Sequence, residues 1–119
     1  MIDYDIKFQD DGSQLCAGFF AFKKTKEVRD LFEKSYSLCS STDDQSAINS
    51  VIPNSGLTYS TLDFSKYHNV HKDVSGVWED GMDYDPGENT LMFHANFTVG
   101  VENKKKLLNL VLNKKGLCL

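Results

Sequence analysis

Two short segments carry residue types whose spacing could do chemistry. The first is Thr42-Asp43-Asp44-Gln45, adjacent carboxylates leading into Ala47, Ile48 and Asn49. As plain structure, Thr42 with Gln45 three residues on fits a capping box, and acids in a first helical turn are favoured by the helix dipole. Asp44, however, falls at helical spacing on the face that holds Ala47 and Ile48, so it is expected to point toward the body of the domain. A carboxylate there needs a cation, a metal or a substrate hydroxyl to offset its lost hydration. The second segment is Phe93-His94-Ala95-Asn96-Phe97-Thr98-Val99-Gly100, with Lys104 beyond. A His leaving the C-terminal end of a short apolar strand stands where open α/β sheets bind their ligands. Neutral imidazole suits a divalent metal, and a Gly at a helix start followed by a Lys suits a diphosphate, through backbone N–H groups and one ammonium. The bland alternative is a His satisfied by its neighbours, with Lys104, Lys105 and Lys106 merely solvated.

Three other groups are weaker. Asp3-Tyr4-Asp5 has the form of a DxD metal pair, but such a pair belongs where a strand ends, and here the strand follows it. Asp73, Glu79, Asp80, Asp83, Asp85 and Glu88 fall in a stretch without Lys or Arg. Calcium binding there is conceivable, yet the order lacks the Gly and terminal Glu of a helical calcium loop, so a mobile acidic loop is expected. Cys16, Cys39 and Cys118 have no CxxC spacing and leave one thiol over, against both a disulfide framework and a thiolate zinc site.

The elements that must position these residues follow from hydrophobic period. Tyr4, Ile6 and Phe8 alternate with polar residues, as in a strand with one buried face, and Asp10-Asp11-Gly12-Ser13 ends it. Residues 16–22 are apolar on both faces, which predicts a central strand between layers. Thr25 is the expected N-cap of a helix over about 25–38, with Val28, Leu31, Phe32 and Tyr36 on its inner face. A second helix follows Thr42 and ends at Pro53. Residues 57–64 look weakly strand-like, and 65–89 read as a long polar connection holding Trp78. Leu91, Met92 and Phe93 form a short strand, and Leu107, Leu108, Val111 and Leu112 make the apolar face of a last helix after Gly100. Alternating strands and helices predict an α/β layered sheet in a single domain over residues 1–119.

Composition narrows the function. The 119 residues are 40% hydrophobic and 25% charged, ordinary globular values, and allow one modest core. Thirteen Lys+Arg against seventeen Asp+Glu leave a net charge of -4, the wrong sign for neutralising a nucleic acid's phosphates. No apolar run approaches the ~20 residues that span a bilayer, and residues 1–14 lack a secretory pattern. With the odd cysteine count, the expectation is a cytoplasmic chain without a membrane segment.

Cys16-Ala17-Gly18-Phe19-Phe20, Asp43-Asp44-Gln45-Ser46-Ala47-Ile48-Asn49 and His94-Ala95-Asn96-Phe97-Thr98-Val99-Gly100 with Lys104 occur in an order that resembles the nucleotide-diphospho-sugar transferase family, glycosyltransferases of the GT-A fold. The resemblance runs from about Asp5 to Lys106 and corresponds to the C-terminal half of such a domain. It implies a partial GT-A, Rossmann-like layered sheet with flanking helices, lacking the N-terminal nucleotide-binding half and its DxD. It further implies transfer of a sugar from a nucleotide diphosphate donor to a glycan or other hydroxyl acceptor, inactive in this portion alone. By the same resemblance Ala17 and Gly18 would lie against the donor sugar, and Asp43, Asp44 and Gln45 would meet the reacting sugar or acceptor. His94 would complete a Mn2+ or Mg2+ site, Gly100 and Lys104 would hold the diphosphate, and Asn96 would be a further substrate-binding residue. The rival is a non-catalytic remnant or binding module, gripping a glycan or partner through Trp78, Tyr59 and Tyr67. An exposed sheet edge along residues 16–22 is expected where the absent parallel strands would lie.

Overall fold

A computed structural model describes residues 3–70 and 76–117; Asp73 of the acidic stretch and Cys118 lie outside the described residues. The chain is mixed α/β and divides into two compact units, Met1–Leu62 and Asp63–Leu119, each with its own apolar cluster. Among the described residues no helix is long and apolar enough to cross a membrane.

The first unit contains β1 (Ile6–Asp10), β2 (Leu15–Phe22), α1 (Lys26–Leu38), α2 (Asp44–Val51), a 3₁₀ turn (Ile52–Asn54) and β3 (Tyr59–Thr61). Its sheet has the order β2-β1-β3, with β1 antiparallel to β2 and parallel to β3. Ile6 and Phe8, the inward residues of the alternating strand, are fully buried against Leu31, Ile48 and Ile52. Burying each such side chain contributes about 1.5–3 kcal/mol. The central strand is therefore β1, and residues 16–22 form an edge, contrary to the expectation from their two-sided apolarity. Their aromatic residues pack sideways instead: Phe20 meets Phe8 and Phe32 at 5.6 and 5.3 Å between ring centroids, and Phe22 meets Phe32 edge-on at 5.6 Å.

The pairing of β2 is interrupted. Phe8 faces Phe20 and the next residue, Gln9, faces Cys16, so Ala17, Gly18 and Phe19 are extra residues that bulge from the strand. Thr25 caps α1 as expected, accepting from the Val28 N–H at 3.3 Å. Asp5 is occupied structurally: its carboxylate accepts from the Thr58 N–H and hydroxyl, both at 2.9 Å, fixing the start of β3 beside β1.

The second unit contains β4 (Tyr67–Asn69), β5 (Met92–His94) and α3 (Val101–Lys114). The two strands are parallel, with Asn69 opposite His94, and Trp78 bridges Thr98. Val70, Trp78, Tyr84, Ala95, Leu107 and Val111 make its core. The expected polar connection over 65–89 thus holds a strand and two core aromatics; the Tyr84 hydroxyl donates to the Asn69 carbonyl at 3.0 Å. The acidic stretch is tied to α3 by Asp80–Lys106 and Asp83–Lys114 ion pairs of 2.5 and 2.8 Å, and Lys115 donates to the Gly87 carbonyl. Leu107 and Val111 face inward as expected of α3, while Leu108 is exposed.

Candidate functional site

The expected site residues fall into two groups. Ala17, Gly18, Asp43, Asp44 and Gln45 belong to the first unit; His94, Asn96, Gly100 and Lys104 belong to the second.

In the first unit α2 starts one residue later than a Thr42 cap requires. Asp43 is the N-cap, accepting from the Ser46 N–H at 2.8 Å and from the Ser46 hydroxyl at 2.7 Å. Those bonds, the hydroxyl first and the N–H second, hold its carboxyl below the usual aspartate range. Asp44 is the first residue of α2, at the end of the helix rather than along its packed length. Asp44 is exposed rather than turned into the domain, and it accepts from the Gln45 N–H at 2.8 Å. The inward residue is Gln45. Its side-chain oxygen accepts from the Ala17 N–H at 3.1 Å, and its side-chain nitrogen donates to the buried Asp11 carboxylate at 2.9 Å.

Asn49, one turn further along α2, repeats the pattern. It accepts from the Leu15 N–H at 2.9 Å and donates to the Leu15 carbonyl at 2.8 Å. Cys16 pairs inward with Gln9, so Leu15 and Ala17 turn their backbone groups to the outer edge of β2, and the amides of Gln45 and Asn49 stand there in place of a neighbouring strand. Hydrophobic period does not reveal this pair; the i, i+4 spacing of two primary amides on one helix does. Burial pushes the Cys16 thiol up, and the nearby charges of Asp11 and Asp44 add to that shift. Asp44 is an exposed acceptor, the residue before the Gln45 that holds the Ala17 N–H.

In the second unit His94 ends β5 half-buried, its carbonyl accepting from the Asn96 N–H at 2.9 Å. The Asn96 side-chain oxygen accepts from the Val70 N–H at 3.0 Å, so this residue ties the turn after β5 to the end of β4. Phe97 follows with φ of 50°, and its carbonyl accepts from the Trp78 N–H at 2.8 Å. Gly100 is the N-cap of α3 with φ 83° and ψ 152°, a conformation open almost only to glycine, and it supplies no side-chain cap. The first-turn N–H groups of α3 are thus left for water or an anion. Of the three consecutive lysines, Lys105 pairs with Glu102 and Lys106 with Asp80, while Lys104 is exposed and makes no ion pair among the described residues.

Among the described residues no three His, Cys, Asp or Glu side chains come together as a metal-binding group. A divalent ion that wants about six ligands does not fit His94 alone. Trp78, a candidate glycan platform, is 2% exposed, so its ring faces are taken up by the core. Comparison of the chain with protein-family models, with curated proteins and with solved structures finds no match in any of the three.

Proposed function

We propose that these residues are the acceptor-side portion of a GT-A-like glycosyltransferase, one that moves a sugar from a nucleotide diphosphate donor to a hydroxyl and does not turn over by itself. The observation that carries the reading is the Gln45 side chain bonded to the Ala17 N–H of the Ala17–Gly18–Phe19 bulge, with the exposed Asp44 as the residue before it. Small residues let a sugar ring approach the backbone closely, and an exposed carboxylate such as that of Asp44 accepts from a sugar or acceptor hydroxyl and orients it. Departure of a nucleotide diphosphate builds negative charge on its oxygens. Within the second unit, the uncapped start of α3 at Gly100 and the exposed Lys104, without an ion pair among the described residues, suit a diphosphate's charge. A divalent metal would share in neutralising it, but His94 offers at most one ligand. Asn96 is committed to the turn through Val70 and serves as a positioning residue.

Thermal unfolding of the chain with nucleoside diphosphates and their sugar conjugates, with and without Mn2+, tests the reading. A ligand that binds only the native state raises the melting temperature. The expected result is a rise with the diphosphate ligands that Lys104→Ala removes, while inorganic sulfate gives none. A chain that melts cooperatively at one temperature under every condition would overturn the reading in favour of a non-catalytic module.

A further inference from the structure

The outer edge of β2 is closed over half its length and open over the rest. Leu15 and Ala17 are closed by Asn49 and Gln45. Beyond the bulge, the Lys23 N–H donates to the Asp5 carbonyl at 2.8 Å, so Lys23 turns its N–H toward β1, while the Asp5 N–H donates to the Thr58 carbonyl at 3.0 Å. Antiparallel alternation then turns the backbone of Ala21 toward Lys7 as well and that of Phe20 and Phe22 outward. The other side agrees: the Ile6 N–H donates to Thr58 and the Phe8 carbonyl accepts from Leu62, both toward β3. No described residue pairs with the outward groups of Phe20 and Phe22. Within β2 (LCAGFFAF) the stretch beyond the bulge carries no charged residue and no proline. Beside it, on the α1 side, lies an open cavity of about 480 Å³ walled by Phe22, Val28, Phe32 and Tyr36. Phe22 is 47% exposed and Tyr36 81%.

We propose that this edge pairs with the same edge of a second copy, about a two-fold axis at Ala21. An antiparallel pair of identical strands sets Phe20 against the partner's Phe22, so every outward N–H of one copy meets an outward carbonyl of the other. Opposed residues in such a pair share a face, so both copies of α1 lie on one side of a continuous sheet, and the apolar walls of the two cavities meet. Charge favours a second copy over a peptide of one sign. The charged residues around the cavity are sorted along α1, Lys24 and Arg29 toward its start and Glu33 toward its end. The two-fold axis runs the helices antiparallel and brings Arg29 toward the partner's Glu33, whereas a singly signed ligand would meet like charge at one end. This surface stands independently of the glycosyl-transfer reading.

Sedimentation equilibrium of the 119-residue chain over a wide concentration range tests it. A closed dimer is expected. Phe22→Lys should raise its dissociation constant at least tenfold by placing a charge on the edge. Arg29→Glu should also weaken it, and adding Glu33→Arg in the same chain should restore it. If Phe22→Lys fails to fold, the charge reversal and its rescue, both at exposed helix positions, decide alone. A monomer at every concentration, an assembly that grows without limit, or a dimer indifferent to Arg29→Glu would each overturn the proposal.

Discussion

Around Asp44 the order is made by side chains, the amides of Gln45 and Asn49 gripping the outer backbone of β2. Around Gly100 it is made by the main chain, with Phe97 at positive φ, Gly100 at φ 83° and an α3 start that no side chain caps. The two glycines show the difference. Gly18 sits exposed in the bulge without a positive φ, so smallness is its contribution; at Gly100 the backbone conformation itself requires glycine. A site assembled by side chains breaks by losing hydrogen bonds, and one assembled by the main chain breaks by strain.

The largest expected effect tests the first half of that contrast. Asn49→Ala leaves the Leu15 N–H and carbonyl without their partners, and a buried polar group so stranded costs about 1–3 kcal/mol. With two such groups only partly buried, urea unfolding should show a loss of about 2–3 kcal/mol. Gln45→Ala, which strands the Ala17 N–H and takes a donor from the buried Asp11 carboxylate, should cost a similar amount, about 2–3 kcal/mol. If both variants match the parent, the amides do not hold the edge and the bulge has another cause.

Next comes Gly100→Ala. Nothing lies within 4 Å of the Cβ it would add, so the cost is backbone strain alone, about 1–3 kcal/mol. The same denaturation measurement checks it. An unchanged midpoint would mean the start of α3 relaxes freely, which would also remove the case for a preformed anion cradle there.

These two tests bear on what the sequence made visible. Alternation found β1 because Ile6 and Phe8 share one buried face, and helical spacing found α1 and α3 because Val28, Leu31, Leu107 and Val111 do the same. Two-sided apolarity misled for β2: its second set of apolar residues packs as an aromatic row with Phe32, and part of it remains exposed. β4 escaped notice because Tyr67-His68-Asn69 buries polar residues and has no apolar period. In the candidate site, Asp44 shares the spacing of the buried Ala47 and Ile48 but is exposed as the first residue of α2, and the inward polar contact is made by Gln45. Both Thr42 and Asp43 are good caps, and it is Asp43 that receives both the N–H and the hydroxyl of Ser46.

The smallest effect sharpens the contrast through pH. Asp43 and Asp5 are held below the ordinary aspartate value of about 4 chiefly by hydrogen bonds from neutral donors, Ser46 and Thr58. In the second unit Asp83 is lowered mainly by the Lys114 side chain. For all three the folded chain releases the proton more readily than the unfolded chain. Their contribution is therefore complete above about pH 4 and is lost as pH falls through the lower, folded values. The urea midpoint should decline over that acid window. Asp43→Asn keeps a capping oxygen but cannot titrate, so it should flatten part of the decline at any salt concentration. Asp83→Asn should flatten it at low salt and do less at high salt, where the exposed Lys114 pair is screened. Equal salt sensitivity in the two variants would mean that charge, rather than neutral hydrogen bonding, also holds Asp43, and the contrast between the two units would fail at this point.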